Sequence, residues 1–245
     1  MKTAIVSGAS GGIGIKIAER FIKDGYFVVA LYNKNGSAFN DLKSVLPTEE
    51  EKCRLIPLKA DLTSERETDA ALEKVFLGFK HIDVLVNNAG IDLYKLLTDT
   101  KVTEWDKVFA LNVRSAFILS KAVLPKMIER KSGNIVNVSS IWGKVGASME
   151  TAYSASKAAL IGLTKALSKE VAESGIRVNC VCPGVIDTKM NSAFSKPEMD
   201  EIIERTPLKR IGKPEEIASL ISFIVSDSAS FITGETITAD GGFTV

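Results

Sequence analysis

The sequence predicts an α/β fold, namely a Rossmann-type doubly wound domain with a parallel sheet of about seven strands and helices on both faces. Short apolar runs alternate with longer segments of helical periodicity along all 245 residues. A glycine-rich turn joins the first strand to the first helix. The sequence shows no linker or repeat, so we expect one domain over residues 1–245.

Most of the predicted strands carry Val, Ile or Leu at consecutive positions, as parallel strands do when helices cover both faces. These strands are residues 3–7, 27–32, 54–59, 84–87, 134–139, 177–181 and 235–239. The helical pattern covers residues 13–24, 65–78, 104–131, 152–174 and 214–225. Pro214 begins the last helix, and Gly175 is the expected C-cap of the fourth. The irregular residues 188–207 interrupt the alternation and are expected to form a substrate lid.

Composition and charge exclude several classes of protein. There are 31 Lys and Arg residues against 30 Asp and Glu, which argues against a nucleic-acid or membrane-surface partner. The longest stretch without a charged residue, residues 3–15, is shorter than the roughly 20 residues of a membrane span. The N-terminus lacks the pattern of a signal peptide, so we expect a cytoplasmic protein.

Cysteine and histidine, which bind metals and act as catalytic residues in hydrolases, are few in this sequence. Cys53, Cys180 and Cys182 lack the spacing of a disulfide framework and are expected to be reduced, buried thiols. His81 is the only histidine and precedes a strand in what we expect to be a surface loop. We therefore expect no metal site and no hydrolytic triad.

The turn after the first strand predicts a nucleotide site. Gly8, Gly12 and Gly14 are spaced G-x-x-x-G-x-G between a strand and a helix, where backbone amides can face a pyrophosphate. The second strand ends at Asn33-Lys34 and has no acid for the ribose hydroxyls of NAD. Lys34 could instead meet a 2′-phosphate, which favours NADP(H) over NAD(H).

Three residues predict acid–base chemistry. Tyr153 and Lys157 are four residues apart and share a helix face, and Ser140 lies where the fifth strand ends. A nearby ammonium favours the phenolate, so we expect Lys157 to lower the pKa of Tyr153. The Ser140 hydroxyl can bond a substrate carbonyl. The fourth strand ends in Asn88-Ala89-Gly90, a turn that could lie against the cofactor.

With these motifs the chain resembles the short-chain dehydrogenase/reductase family over nearly its whole length. The resemblance implies that Tyr153 is the general acid, that Ser140 positions the carbonyl, that Lys157 binds the nicotinamide ribose and that Asn112 holds a water in the proton relay. It also implies cofactor contacts at Gly8, Ser10, Gly12, Ile13, Gly14, Asn33, Lys34, Asp61, Leu62, Asn88, Ala89, Gly90, Tyr153, Lys157, Pro183, Gly184, Ile186 and Thr188. Two departures are visible: Ser7 replaces the usual Thr, and Gly11 stands where NADP-dependent members often have a basic residue.

Within the family the chain is most similar to the bacterial 3-oxoacyl-[acyl-carrier-protein] reductases. Residues 139–148 and 183–188 also resemble a subgroup that includes reductases of a 5-aminopentanone modification on elongation factor P. Lys131 matches one basic position expected for docking a carrier protein, but Ser174 beside Glu173 stands at the other. The resemblance implies a homotetramer, and it implies a role in fatty acid biosynthesis if the substrate is carrier-bound.

Two other functions occur on the same fold. A non-catalytic nucleotide sensor would have no use for Tyr153 and Lys157. A nucleotide-sugar dehydratase or epimerase usually has a larger C-terminal substrate domain than residues 188–207 could provide. Trp142 follows Ser140 closely and is expected either to shape the substrate pocket or to pack in the core.

Overall fold

The computed structural model describes residues 2–245, with only the backbone described at Ser192 and Ala193. Its strands and helices alternate as the apolar pattern predicts. The strands are β1 (Thr3–Ser7), β2 (Phe27–Tyr32), β3 (Leu55–Lys59), β4 (Val84–Asn87), β5 (Gly133–Val138), β6 (Ile176–Pro183) and β7 (Thr236–Ala239). The helices are α1 (Gly12–Lys23), α2 (Ala38–Val45), α3 (Glu49–Cys53), α4 (Glu65–Gly78), α5 (Val102–Phe109), α6 (Ser115–Arg130), α7 (Trp142–Val145), α8 (Thr151–Val171), α9 (Lys196–Arg205) and α10 (Pro214–Val225).

The described strands form one parallel seven-stranded sheet in the order β3-β2-β1-β4-β5-β6-β7. The chain adds β1 to β3 outward in one direction and then β4 to β7 outward in the other. The strand order therefore reverses between β1 and β4. In an open α/β sheet, ligands bind in the crevice at such a reversal, beyond the carboxyl ends of the strands. The fold therefore places the glycine turn and residues 88–90 on the two sides of that crevice.

Apolar side chains cover both faces of the sheet. On one face α1 and α10 bury Phe21 and Ile221 against β1 and β4. On the other face α4, α6 and α8 bury Leu72, Leu119 and Leu167. Since β1 and β4 lie between two helical layers, their residues are buried at every position, which explains why their sequences are continuously apolar rather than alternating.

The predicted strands and the five predicted helical segments are all present, and the structure adds detail to three regions. The segment predicted as one helix over residues 104–131 is α5 and α6 joined by a π-helical turn over Ala110–Arg114. A short 3₁₀ turn extends α8, and Gly175 ends it in the left-handed conformation, as predicted for a C-cap. Residues 188–207 are not irregular, because a capping box formed by Ser195 and Glu198 begins α9 there.

The continuous helical run Val102–Arg130 is long and apolar enough to cross a membrane by length and composition alone. Nearly half of its most apolar part is buried, and α6 packs on β4, β5 and α4 as a core helix does. Cys180 and Cys182 are free and buried as predicted, but the prediction was wrong for Cys53. Cys53 ends the short helix α3, none of whose residues is buried, and its thiol is exposed.

Candidate active site

The turn between β1 and α1 is rich in glycine and forms a cradle. Gly8 has a φ of +63°, a left-handed conformation that glycine adopts without strain. A Cβ atom there would lie 2.7 Å from the Cα of Ala89, so the turn contacts the end of β4 directly. Ser10 lies half-buried in the turn, and the half-buried Ile13 of α1 packs against the core.

Gly12 faces the loop that follows β6. A Cβ at Gly12 would come within 2.6 Å of the Cγ2 atom of Thr188, so glycine at this position leaves room for both segments. Helix α1 has no acidic residue in its first turn and no side-chain cap at Gly11. Its N-terminal amides and positive dipole end therefore remain available for an anion, and the cradle fits the pyrophosphate of a dinucleotide.

Ser7 and Asn88 join the glycine turn to β4. The backbone N–H groups of Asn88 and Ala89 both donate to the Ser7 hydroxyl oxygen at 3.0 Å. In the other direction, the Asn88 amide donates to the carbonyls of Ser7 and Gly8 at 3.0 and 3.2 Å. The serine that replaces the usual threonine thus supplies the hydroxyl these bonds need, and the Asn88 side chain holds the turn itself.

The ends of β2 and β3 form a polar cluster on the far side of the turn. Asp61 accepts bonds from the backbone N–H and hydroxyl of Thr63 at 2.9 and 2.7 Å. These bonds, a hydrogen bond with Asn33 and the charge of Lys34 lower the pKa of Asp61. The Leu62 side chain is buried, so only Asn33, Lys34 and Asp61 of the predicted residues offer polar atoms here. Their position suits the adenosine end of a dinucleotide.

Tyr153, Lys157 and Ser140 lie together at the carboxyl end of β5, and all three are at least nine-tenths buried. The Lys157 ammonium lies 5.6 Å from the centroid of the Tyr153 ring and donates to the Val138 carbonyl at 2.8 Å. Ser140 accepts from the Trp142 N–H at 3.2 Å and forms a side-chain hydrogen bond with Tyr153. The spacing of these residues in the sequence therefore correctly predicts that they share one site.

In the folded chain by itself, the pKa of Tyr153 is raised rather than lowered. Burial raises the pKa of Tyr153, and the hydrogen bond with Ser140 only partly opposes this rise. Burial also lowers the pKa of Lys157 to about 8. Both groups are removed from water, which disfavours the phenolate and the ammonium alike.

Asn112 lies in the π-helical turn and is buried. Its amide donates to the Ile91 carbonyl and to the Ser156 hydroxyl, both at 2.9 Å, and its side-chain oxygen accepts from the Ile91 N–H at 2.9 Å. Both amide hydrogens are therefore used within the protein. A water in a proton relay could meet this side chain only as a donor to its oxygen.

The other predicted cofactor residues border the same crevice. A Cβ at Gly90 would lie 3.2 Å from the Lys157 Nζ, which places residues 88–90 beside the Tyr153 cluster. Gly184 passes close to Asp240, and Pro183 accepts a backbone bond from Ile141 at 3.0 Å. The Ile186 side chain is buried and its carbonyl accepts from Asn191 at 2.6 Å. Ile186 can therefore meet a ligand only through its backbone.

Sequence reasoning missed a buried polar network behind the site. Asn87 donates to Asn137 at 2.8 Å and to Ser120 at 3.1 Å, and Asn137 donates to Thr164 at 2.9 Å. These bonds link β4, β5, α6 and α8. The Ser139 hydroxyl adds a bond to the Lys157 carbonyl at 2.7 Å. The signal in the sequence was an asparagine at or next to the end of two apolar strands, Asn87 in β4 and Asn137 in β5.

Two carboxylates near Tyr153 were also missed. Glu150 directly precedes α8, and Asp92 lies in the loop after β4. Both raise the pKa of Tyr153, so both lie within electrostatic reach of its hydroxyl. The spacing of Glu150 three residues before Tyr153 was the signal that could have revealed it.

Trp142 is half-buried and meets Phe243 edge to face, with ring centroids 5.8 Å apart. The guanidinium of Arg205, at the end of α9, lies 5.1 Å from the Phe243 ring centroid. Trp142 therefore packs on the C-terminal segment, and that segment in turn contacts the end of α9.

Comparisons with known proteins agree with this geometry. A family model described as Enoyl-(Acyl carrier protein) reductase matches residues 8–244. The chain is 40% identical to the uncharacterized oxidoreductase YmfI of Bacillus subtilis, over 99% of this chain and 98% of that protein. It is 38% identical to the 3-oxoacyl-[acyl-carrier-protein] reductase FabG of Thermotoga maritima, over 100% of this chain and 98% of that one. A solved structure of 4-hydroxyisoleucine dehydrogenase complexed with NADH superposes with a TM-score of 0.92 at 33% identity, covering 100% of this chain and 99% of that chain.

Proposed function

Since the chain belongs to the short-chain dehydrogenase/reductase family of nicotinamide-dependent oxidoreductases, we propose that it uses NADPH to reduce a ketone to a secondary alcohol. The observation that carries this proposal is the convergence of Tyr153, Ser140 and Lys157 beside the glycine cradle. Burying a lysine ammonium and a tyrosine hydroxyl costs free energy. In a sensor without catalysis, nothing would offset that cost at the edge of the nucleotide cradle.

The bound nicotinamide cofactor supplies a hydride to the carbonyl carbon. In the proposed mechanism Ser140 donates a hydrogen bond to the ketone oxygen, and Tyr153 gives that oxygen its proton as negative charge develops. Lys157 is held by the Val138 carbonyl and binds the nicotinamide ribose. Its ammonium and the positive charge of the oxidised cofactor favour the phenolate that Tyr153 becomes. Asn112 positions a relay water through its side-chain oxygen.

NADPH is the proposed cofactor because Lys34 follows β2, where no acid is present to bind the ribose hydroxyls. Asn33 and Asp61 border the same place, and Asp61 would contact adenine. The similar dehydrogenase structure contains NADH, so the choice between the two cofactors is part of the test. It is tested by measuring the dissociation constants of NADPH and NADH by fluorescence titration.

The proposal includes a lid over residues 188–207. Near its beginning, the Asn191 side-chain amide donates to the Ile186 carbonyl at 2.6 Å. Just after its end, the Leu208 N–H donates to the Gly241 carbonyl at 3.1 Å. Between these anchors, Met199, Ile202 and Ile203 of α9 are only half-buried. The spacing of these three apolar residues places them on one face of α9, and a helix with such a face suits a cover for the substrate.

A 3-oxoacyl group on a carrier protein is the first candidate substrate, because several relatives at 38–40% identity carry that name. The docking surface argues against it. Gly175 packs on the Lys131 carbonyl, so the two expected docking positions, Lys131 and Ser174, are neighbours. The exposed Glu173 beside them offsets the charge of Lys131, which weakens attraction for an acidic carrier.

The second candidate is a 5-aminopentanone group on elongation factor P, and the acids Glu150 and Asp92 near Tyr153 favour it. The experiment is an NADPH-oxidation assay with acetoacetyl thioesters, small diketones and ketone-modified elongation factor P. We expect turnover of at least one ketone and its loss in Tyr153→Phe. Absence of turnover with every ketone and both cofactors would contradict the proposed reaction.

We also propose that the protein is cytoplasmic and forms a homotetramer. Phe117 and Ile128 of α6 are about half exposed, and with Leu124 and Leu163 they line a shallow apolar groove between α6 and α8. Exposed apolar helix faces of this kind suit burial against a second copy. Light scattering measures the oligomeric state.

A further inference from the structure

Residues 240–244, here named the C-terminal turn, rest on the end of the lid. Gly241 and Gly242 have φ values of +66° and +87°. A Cβ atom at Gly241 would lie 2.8 Å from the Thr206 Cγ2, and one at Gly242 would lie 2.9 Å from the Pro207 Cγ. Thr206 and Pro207 are the last two residues of the lid. Side chains at the two glycines would therefore keep the C-terminal turn away from the lid.

Hydrogen bonds hold the C-terminal turn beside the sheet. The Asp240 carboxylate accepts from the Gly242 and Thr244 N–H groups, both at 2.9 Å, and from the Thr244 hydroxyl at 2.6 Å. Just before the turn, the Ala239 carbonyl at the end of β7 accepts from the Gly184 N–H at 3.0 Å. The position of the turn is therefore set by the ends of β6 and β7.

Phe243 is the residue of the turn that contacts both the lid and the surroundings of Ser140. Its ring meets the Trp142 ring edge to face, with centroids 5.8 Å apart, and the Trp142 N–H donates to the Ser140 hydroxyl oxygen at 3.2 Å. The guanidinium carbon of Arg205, the last residue of α9, lies 5.1 Å from the centroid of the Phe243 ring. One aromatic ring thus links the lid to the segment that follows Ser140.

The Arg205 side chain has a second contact, but this one does not tie α9 to the rest of the protein. Glu201 lies 3.9 Å from Arg205 in the same helix, and the two side chains are 71% and 65% exposed, so their ion pair contributes little. Every residue of α9 is at least partly exposed. The Phe243 ring is therefore the partner outside α9 on which the guanidinium rests.

We propose that Phe243 is a positioning residue that holds the lid closed over the ketone through its contact with Arg205. This inference rests on the proposed reductase function, because the lid covers the substrate of that reaction. When the lid opens, α9 moves away from the C-terminal turn, since Asp240 and β7 hold the turn in place. Opening therefore separates Arg205 from Phe243, and the contact between them favours the closed state.

The test is limited proteolysis with a glutamyl endopeptidase, without ketone and both with and without NADPH. This protease cuts after Glu198, Glu201 and Glu204 of α9, and mass spectrometry identifies the fragments. The cutting rate in α9 follows the fraction of open lids as long as the lid recloses quickly. Dividing it by the rate after the exposed Glu50 of α3 corrects for a general loosening of the fold.

The variants separate the aromatic ring, the cation and apolar volume. Phe243→Leu removes the ring but keeps an apolar side chain, and Phe243→Tyr keeps the ring. Arg205→Met keeps the apolar stem and removes the guanidinium. Phe231→Leu is the matched control, because it removes a fully exposed phenylalanine ring outside the lid and the C-terminal turn.

Cation–π and aromatic contacts of partly exposed rings are weak, so we expect α9 to be cut about three- to tenfold faster in Phe243→Leu and in Arg205→Met. The two substitutions together should have no greater effect than Phe243→Leu alone, because both remove the same contact. Phe243→Tyr and Phe231→Leu should match the wild type. In Phe243→Leu the KM for a ketone should rise by at most the same factor, since apparent affinity follows the closed fraction, and kcat should not fall.

Cutting of α9 in Phe243→Leu at the rate seen in Phe231→Leu would overturn this inference, and so would additive effects of Phe243→Leu and Arg205→Met. A rise in KM with unchanged cutting would also overturn it, because Phe243 would then act on the ketone and not on the lid. Proteolysis requires no turnover. Faster cutting in Phe243→Leu, in a protein that reduces no ketone, would therefore uphold the contact with the lid and contradict the reductase function alone.

Discussion

The Lys157 ammonium lies 5.6 Å from the centroid of the Tyr153 ring, but its hydrogen bond goes to the Val138 carbonyl at 2.8 Å. The end of β5, and not Tyr153, therefore positions the Lys157 side chain. Because burial raises the pKa of Tyr153, the folded chain keeps its phenol protonated, as a general acid must be before it acts.

The first prediction concerns this phenol. Tyr153→Phe should lower kcat for ketone reduction by about 10²- to 10⁴-fold, the usual contribution of a general acid. The dissociation constant of NADPH should change little, because the hydroxyl and not the ring is removed. Steady-state rates and a fluorescence titration measure the two effects. Turnover close to that of the wild type would remove Tyr153 from the proposed mechanism.

The second prediction concerns the stability of the cofactor-free protein. The pKa of Lys157 is about 8 in the fold and about 10.5 when the chain is unfolded, so burial of the ammonium destabilises the fold below pH 8. This cost falls as the pH rises from 8 towards 10.5, since the folded state releases its proton first. Lys157→Met removes the ammonium but also its bond to Val138.

We therefore expect Lys157→Met to be more stable than the wild type at pH 7, by about 1–2 kcal/mol after the lost hydrogen bond is subtracted. The difference should shrink between pH 8 and pH 10, and reductase activity should be lost. Urea unfolding at several pH values measures it. A variant that is less stable than the wild type at pH 7 would show that burial of Lys157 is not a net cost.

The third prediction concerns the contact between Gly12 and Thr188. Gly12→Ala introduces a Cβ within 2.6 Å of the Thr188 Cγ2 atom, so the loop after β6 must move. We expect NADPH affinity to fall by about tenfold, since the pyrophosphate cradle and the loop can no longer be held together. The measurement is a titration of Gly12→Ala and of the wild type.

A double-mutant cycle shows whether this contact is the cause. Thr188→Ser removes the Cγ2 methyl but keeps the hydroxyl, so Gly12→Ala with Thr188→Ser should regain part of the lost affinity. A coupling of about 0.5–3 kcal/mol is typical of residues in contact. If the effects of the two substitutions on NADPH affinity are purely additive, the contact between Gly12 and Thr188 is not the cause of the loss.

The fourth prediction concerns cofactor choice. Lys34→Ala should weaken NADPH binding by about tenfold and leave NADH binding unchanged, because only NADPH carries the 2′-phosphate. The effect should diminish at high salt, since Lys34 is exposed. Equal losses for both cofactors would withdraw the proposed 2′-phosphate contact.

The sequence predicted the sheet well because each strand is a short apolar run bounded by turn residues, as in β1, β2 and β4. It missed four helices, α2, α3, α7 and α9, and the reasons are clear for the last two. Helix α7 has only four residues, too few for a periodic pattern. Helix α9 is polar on most of its surface and depends on its Ser195–Glu198 capping box.

The sequence predicted that Tyr153, Lys157 and Ser140 lie together but did not predict the pKa shifts of Tyr153 and Lys157. Tyr153, Lys157 and Ser140 meet because the fifth strand and the following helix bring them together, which spacing can show. The pKa values of Tyr153 and Lys157 depend on their burial, which spacing does not show. For the same reason Glu150 was overlooked, since its burial is visible only after folding.

The π-helical turn at Ala110–Arg114 makes the α5–α6 segment one residue longer than a regular helix of equal span would be. Asn112 lies in this turn, and its side chain bonds the backbone N–H and carbonyl of Ile91. A deletion within the turn would yield a straighter rod with stronger internal bonding, yet every side chain before it would rotate by about 100°. Shortening the turn should therefore disturb the geometry of the site, so we expect the number of residues in the turn to matter more than their identity.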